Sequence, residues 1–106
     1  MTLNDLMNRN PLYITAGAKT AAEDAAAMNY FFQCVGRFYS GDYGAIPPED
    51  IAANNAELAA GEGRILARYE AGPGLKEGIF IIAYFSDKHP ESNDFNYTTI
   101  CYISDY

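Results

Sequence analysis

The stretch that most constrains this chain runs from Gly61 to Phe85, GEGRILARYEAGPGLKEGIFIIAYF. Glycines close one segment, a β-favouring run follows, a Gly-Pro-Gly reversal comes next, and the most apolar run in the protein returns. This order reads as a β-hairpin. Its first arm, Arg64 to Glu70, puts Ile65, Ala67 and Tyr69 on one face and Arg64, Leu66, Arg68 and Glu70 on the other. The second arm, Ile79 to Phe85, is apolar on both faces, as a central strand is. The rest of the chain must either cover this sheet or extend it.

Upstream, Thr2 with Asp5 three residues on reads as the N-cap of a short helical turn that ends before Pro11. Leu12 to Thr15 reads as a short strand closed by Ala16-Gly17. Thr20 followed by Glu23 predicts a capped helix running to about Tyr39 and stopped by Gly41. Its apolar stripe is Ala21, Ala25, Met28, Phe31, Phe32, Val35 and Tyr39, leaving Glu23, Tyr30, Gln33 and Arg37 on the outer side. Pro47-Pro48 leads into a second helix with Glu49 and Asp50 in its first turn and Gly61 after its last. Ile51 and Leu58 give that helix a thin stripe, and Asn54 and Asn55 weaken it. Ser86 to Asn96 is a polar loop, and Tyr97 to Ser104 is the last strand. The predicted order is β-α-α-β-β-β: one α+β domain over residues 1–106, an antiparallel sheet of three to four strands covered on one face by two helices.

Charge is uneven. Of 14 acidic and 7 basic residues, the first 40 positions hold Asp5, Glu23 and Asp24 against Arg9, Lys19 and Arg37, so the whole net charge of −7 falls on residues 41–106. An acidic body of this kind repels nucleic acid and membrane phosphates and is steered toward basic surfaces. The opening residues lack the basic and apolar regions of a signal peptide, and the longest apolar run is far shorter than the ~20 residues of a membrane helix. A cytoplasmic protein is the expectation. Cys34 and Cys101, without a CxxC pair or a histidine cluster, read as buried thiols rather than a disulfide.

No catalytic set emerges. Gly61-Glu62-Gly63 lacks the Lys-Ser/Thr of a phosphate loop and precedes a strand. His89, the one histidine, sits in a polar loop with no nucleophile indicated beside it. Glu49-Asp50 suits a helix N-terminus, and no third ligand is placed near it by spacing, so neither a metal nor another cofactor is expected. The nine tyrosines are a different signal, because tyrosine gives recognition surfaces contact area with a polar tip. Tyr30, Tyr43 and Tyr106 are the ones hardest to place in a core.

Arg37-Phe-Tyr-Ser-Gly41-Asp42-Tyr43-Gly44, Glu49-Asp50, Asn55-Ala56, Gly61-Glu-Gly-Arg64-Ile-Leu66 through Tyr69, Ile79 to Ile82, Thr98-Thr99-Ile100 and Asp105-Tyr106 form an ordered set. Over residues 37 to 106 the chain thereby resembles short, uncharacterised proteins carried by phages, plasmids and other bacterial mobile elements. It departs from them in its extended loop, Asp87 to Asn96, and in lacking a proline before the acidic-aromatic end. The resemblance implies a setting rather than an activity. Together with charge and size it leads to the expectation of a non-enzymatic inhibitor of a host defence complex, anti-CRISPR-like, that fills a basic DNA groove by phosphate mimicry. The residues expected to bind are Asp42, Tyr43, Glu49, Asp50, Glu57, Asp87, Glu91 and Asp94. A homodimeric accessory or regulatory module pairing through its sheet is the alternative, and a small hydrolase or transferase is the third class.

Overall fold

A computed structural model describes residues 1–106. Its elements are α1 (Leu3–Arg9), β1 (Leu12–Ile14), α2 (Ala16–Ala21), α3 (Ala25–Tyr39), α4 (Pro48–Ala60), β2 (Glu62–Tyr69), β3 (Ile79–Ser86) and β4 (Tyr97–Tyr102), with a final 3₁₀ turn, Ile103–Asp105. The fold is α+β, as expected, with two corrections. Four helices accompany the sheet instead of two. The sheet, in order β1-β4-β3-β2, is mixed, because β1 runs parallel to β4 while the other pairs are antiparallel. Three helices separate β1 from the hairpin, so no tight turn dictates its direction.

The Gly-Pro-Gly hairpin pairs in register from Glu62↔Ser86 to Tyr69↔Ile79, and β3 is central, as its two apolar faces require. One face of the sheet meets the helices. Ile65, Ala67, Tyr69, Ile79, Ile81, Ala83, Phe85, Ile100 and Tyr102 form a buried cluster with Leu6, Ala18, Phe31, Cys34 and Phe38.

The long helix expected from Thr20 is broken. Thr20 lies inside α2, where its hydroxyl donates back to the Ala16 carbonyl (3.1 Å). Asp24 is the N-cap of α3, accepting from the amides of Ala26 (2.8 Å) and Ala27 (3.4 Å). Asp24 satisfies two of the N–H groups that a helix start leaves unpaired, which favours a fresh start there. The buried stripe of α3 is Ala27, Phe31, Cys34 and Phe38. Phe31 is 1% exposed and Phe32 65%, so Phe32 is not a core residue. Neighbours on a helix are about 100° apart and cannot both face the sheet.

The second helix has its expected limits. Pro48 starts α4, and Gly61 takes the left-handed conformation (φ 73°, ψ 14°) that ends it. Rather than covering the sheet face, α4 lies along the β2 edge, and its Asn54 is buried. The Asn54 side-chain amide donates to the Leu66 carbonyl (2.9 Å), and its oxygen accepts from the Leu66 amide (3.1 Å). Farther along that edge, the Arg68 amide donates to the Tyr43 carbonyl (3.1 Å) and the Ala45 amide donates to the Arg68 carbonyl (2.7 Å). Gly44 sits between these bonds at φ 70°, where a Cβ would collide with the Arg68 carbonyl.

The polar loop after β3 contains turns but no helix or strand, as expected. Buried Asn96 organises it. Its side-chain nitrogen donates to the carbonyls of His89 (2.6 Å) and Ser92 (2.9 Å), while its oxygen accepts from the Ser86 amide (3.0 Å).

Candidate protein-binding surface

The strands alternate, so the residues between the core positions point to the opposite side of the sheet. No helix packs across that side. Its floor is Phe80, Ile82 and Tyr84 of β3, Thr99, Cys101 and Tyr97 of β4, Tyr13 of β1 and Leu66 of β2. Tyr84 and Tyr97 are directly opposite in register and stack, with ring centroids 4.9 Å apart. Tyr13 meets Tyr97 edge-on at 6.4 Å, so a row of tyrosines crosses three strands. Tyr106 folds back onto the same side, edge-on to Phe80 (5.4 Å) and against the Arg64 guanidinium. Small Ile82 and Cys101 are sheltered between these rings, whereas Tyr13 is 50% exposed.

Carboxylates border the floor at several points, and Arg64 and Arg68 of β2 stand in phase with it. Glu62, itself paired with Lys88 (3.5 Å) and accepting from the Ser86 hydroxyl (3.1 Å), and Asp94 line a hollow with Tyr84 and Tyr97. Asp50 and Glu57 line a groove between α4 and the outward side of Arg64 and Leu66. Asp105 borders a third hollow with Ile82, Tyr84, Tyr97 and Tyr106, and it accepts a hydrogen bond from Thr15 (3.2 Å). Burial raises the Tyr84 phenol above its ordinary value, so it is a neutral hydrogen-bonding group at physiological pH.

The expected binding residues divide. Asp50, Glu57 and Asp94 belong to this rim. Because Glu62, at the start of β2, pairs with Ser86, at the end of β3, the C-terminal end of α4 and the start of the loop lie at the same end of the sheet. Glu49 and Glu91 are exposed but line none of these hollows. Asp42 is bound to Arg37 (2.7 Å) and accepts the Gly44 amide (3.0 Å); those bonds hold its pKa below the ordinary carboxylate range. Asp87 is paired with Arg9 (3.0 Å). Tyr43 is 5% exposed and sits edge-on to Phe38 (5.9 Å), which removes it from the candidate surface. The turn swings its ring inward while its carbonyl pairs with β2. Tyr30 is also half-buried rather than presented outward, its hydroxyl bonded to the Glu70 carbonyl.

Sequence reasoning missed Tyr13, Tyr84, Tyr97, Glu62 and Asp105 as members of one surface. The available signal was the alternation Phe80-Ile82-Tyr84 and Tyr97-Thr99-Cys101, a second apolar face for which the chain supplies no helix.

Elsewhere, Cys34 and Cys101 are free and buried, and burial pushes both thiols above their ordinary pKa. His89 stacks on Phe95, with centroids 4.5 Å apart. No group of three His, Cys, Asp or Glu side chains converges as a metal site would require, and no helix is long and apolar enough to cross a membrane. Comparison with models of protein families, with curated proteins and with solved structures finds no match.

Proposed function

We propose that this chain is a non-enzymatic binding protein that sets its tyrosine-lined sheet face, with the acidic rim around it, against a basic surface of a partner protein. The observation carrying this reading is the pairing of an uncovered aromatic floor with the carboxylates of Asp50, Glu57, Glu62, Asp94 and Asp105. Stacked tyrosines supply desolvated contact area, and carboxylates steer the approach and set its register on arginines and lysines. The net charge of −7 disfavours nucleic acid itself as the partner.

The resemblance to proteins of phages and other mobile elements supports a setting inside a bacterial host. There the partner is a defence complex, CRISPR-type, whose basic groove holds DNA. The rim carboxylates occupy phosphate positions in that groove, and the tyrosines pack on its apolar walls.

The test uses the purified chain as bait in bacterial lysate. It is compared with Tyr84→Ser/Tyr97→Ser and with Asp50→Lys/Glu57→Lys/Asp94→Lys. The wild-type chain should recover a nucleic-acid-binding complex, with capture falling as salt rises, and both variants should lose it. Equal capture by all three baits, or no nucleic-acid-binding complex recovered, overturns the reading.

A further inference from the structure

The two edges of the sheet are treated differently. Along β2, the outward backbone groups of Leu66 are taken by Asn54 and those of Arg68 by Tyr43 and Ala45. Along β1, nothing comparable occurs. The Thr98 amide donates to the Pro11 carbonyl (2.9 Å), and the Thr15 amide donates to the Ile100 carbonyl (3.1 Å). Pro11, Tyr13 and Thr15 therefore face β4 in the parallel ladder. Leu12 and Ile14 turn their N–H and C=O groups away from the sheet. Leu12 is 41% exposed. Beside this edge lies the molecule's largest groove, about 500 Å³, with Leu12, Ile14, Ala22 and Met28 in its wall and Lys19 and Glu23 at its rim.

We infer that a second copy of this chain docks on the β1 edge, strand to strand and antiparallel, across a two-fold axis through Tyr13. In this register Leu12 of each copy lies opposite Ile14 of the other, and each such pair exchanges both N–H···O=C bonds. The edge is thus complementary to itself, as an isologous contact must be. The charges fit a second copy as well. The contact uses residues from the neutral first 40 positions, and of the acidic remainder Asp105 comes close to this edge, where Thr15 donates to it (3.2 Å). With Lys19 and Glu23 of opposite sign at the rim of the groove, the inferred dimer pairs Lys19 of each copy with Glu23 of the other.

Joining two sheets edge to edge leaves the helices of both copies on one side and both tyrosine rows on the other. Tyr13 of each copy becomes the centre of one continuous aromatic floor. The inference concerns the free chain and does not depend on what that floor binds.

Sedimentation equilibrium of the purified chain tests it. At high micromolar concentration the mass should approach twice the 11.7 kDa monomer. Leu12→Pro removes an N–H that faces outward, where an edge strand tolerates proline, so it should yield a folded monomer. Circular dichroism and the melting curve check that fold. Lys19→Glu should weaken association roughly tenfold, from two symmetry-related rim pairs, and Lys19→Glu/Glu23→Lys should restore it. A wild-type chain that stays monomeric overturns the inference. So does a dimer indifferent to both Leu12→Pro and Lys19→Glu, which would place the contact elsewhere. A monomeric chain that loses lysate capture on Leu12→Pro overturns it too, by making a foreign strand the occupant of the edge.

Discussion

The two faces of the sheet are built from the same strands, one residue out of phase, and they do different things. On the inward face, Ile65, Ala67, Ile79, Ile81, Ala83 and Ile100 are fully or almost fully buried under the helices. On the outward face, Leu66, Phe80, Tyr84, Tyr97 and Tyr13 are half-buried or exposed, while Ile82 and Cys101 are buried among the rings, with Tyr106 folded over Phe80. Mainly aliphatic residues, with Tyr69, Phe85 and Tyr102 toward the strand ends, fill the face under the helices. Aromatics with hydroxyls occupy the face that meets water. A strand apolar on both sides usually has cover on both sides. Here one cover is missing, and that difference makes the outward face the place to look for a partner.

The largest effect expected from breaking this contrast is in the core. Phe31→Ala or Ile81→Ala should lower stability by about 2–5 kcal/mol, and Phe32→Ala, one position away on the same helix, by less than about 0.5 kcal/mol. Urea unfolding of the three variants checks both values. Similar losses for Phe31 and Phe32 would mean that the inward face of α3 is misassigned.

Asn54→Leu comes next. It leaves the outward N–H and C=O of Leu66 without their side-chain partner, at a cost of about 1–3 kcal/mol. The same unfolding measurement reads it, and an unchanged midpoint would show that water replaces Asn54 at no cost.

A pH titration reads the burial of the tyrosines on the helical side. Burial raises the phenols of Tyr69, Tyr43 and Tyr39, and it is the largest cause for Tyr30, which is pushed up to about 12. The unfolded chain loses these protons near pH 10, whereas the folded chain holds them. Their stabilising contribution is therefore complete below pH 10 and declines as pH rises toward the folded values. Melting temperature should fall above pH 10, with tyrosinate absorbance from the buried set appearing only as the chain unfolds. A flat melting temperature through that range would contradict their burial.

The smallest stability effect is expected on the outward face. Tyr84→Ser and Tyr97→Ser should each cost no more than about 1 kcal/mol, since only part of each ring is buried and one stacked pair is lost. A cost as large as that of Ile81→Ala would make the outward face structural rather than free.

Much of the architecture was legible because local chemistry agreed with the fold. The glycines and proline of the hairpin, the apolar run of β3, and the Pro48 and Gly61 ends of α4 each state their structure within a few residues. Other features depend on contacts remote in sequence. Asn54 reads as a poor helix residue until Leu66, which it bonds, is placed beside it. Phe31 and Phe32 are alike in composition and separated only by the phase of α3, which Asp24 resets. The parallel direction of β1 has no local signal at all. The candidate surface was legible in chemistry and not in place: acid and tyrosine stood out, but Tyr43 turns inward, and Asp42 and Asp87 are held by Arg37 and Arg9.

Hydroxyl-radical footprinting, read tyrosine by tyrosine by mass spectrometry, tests the central claim most directly. In the free chain, Tyr13 and Tyr106 should be modified readily, Tyr84 and Tyr97 to an intermediate degree, and Tyr43, Tyr69 and Tyr102 hardly at all. In the complex captured from lysate, protection should appear at Tyr84 and Tyr97 and leave exposed Phe32, on the helical side, as reactive as before. Protection of Phe32 with Tyr84 and Tyr97 unchanged would place the partner on the helices and contradict the account.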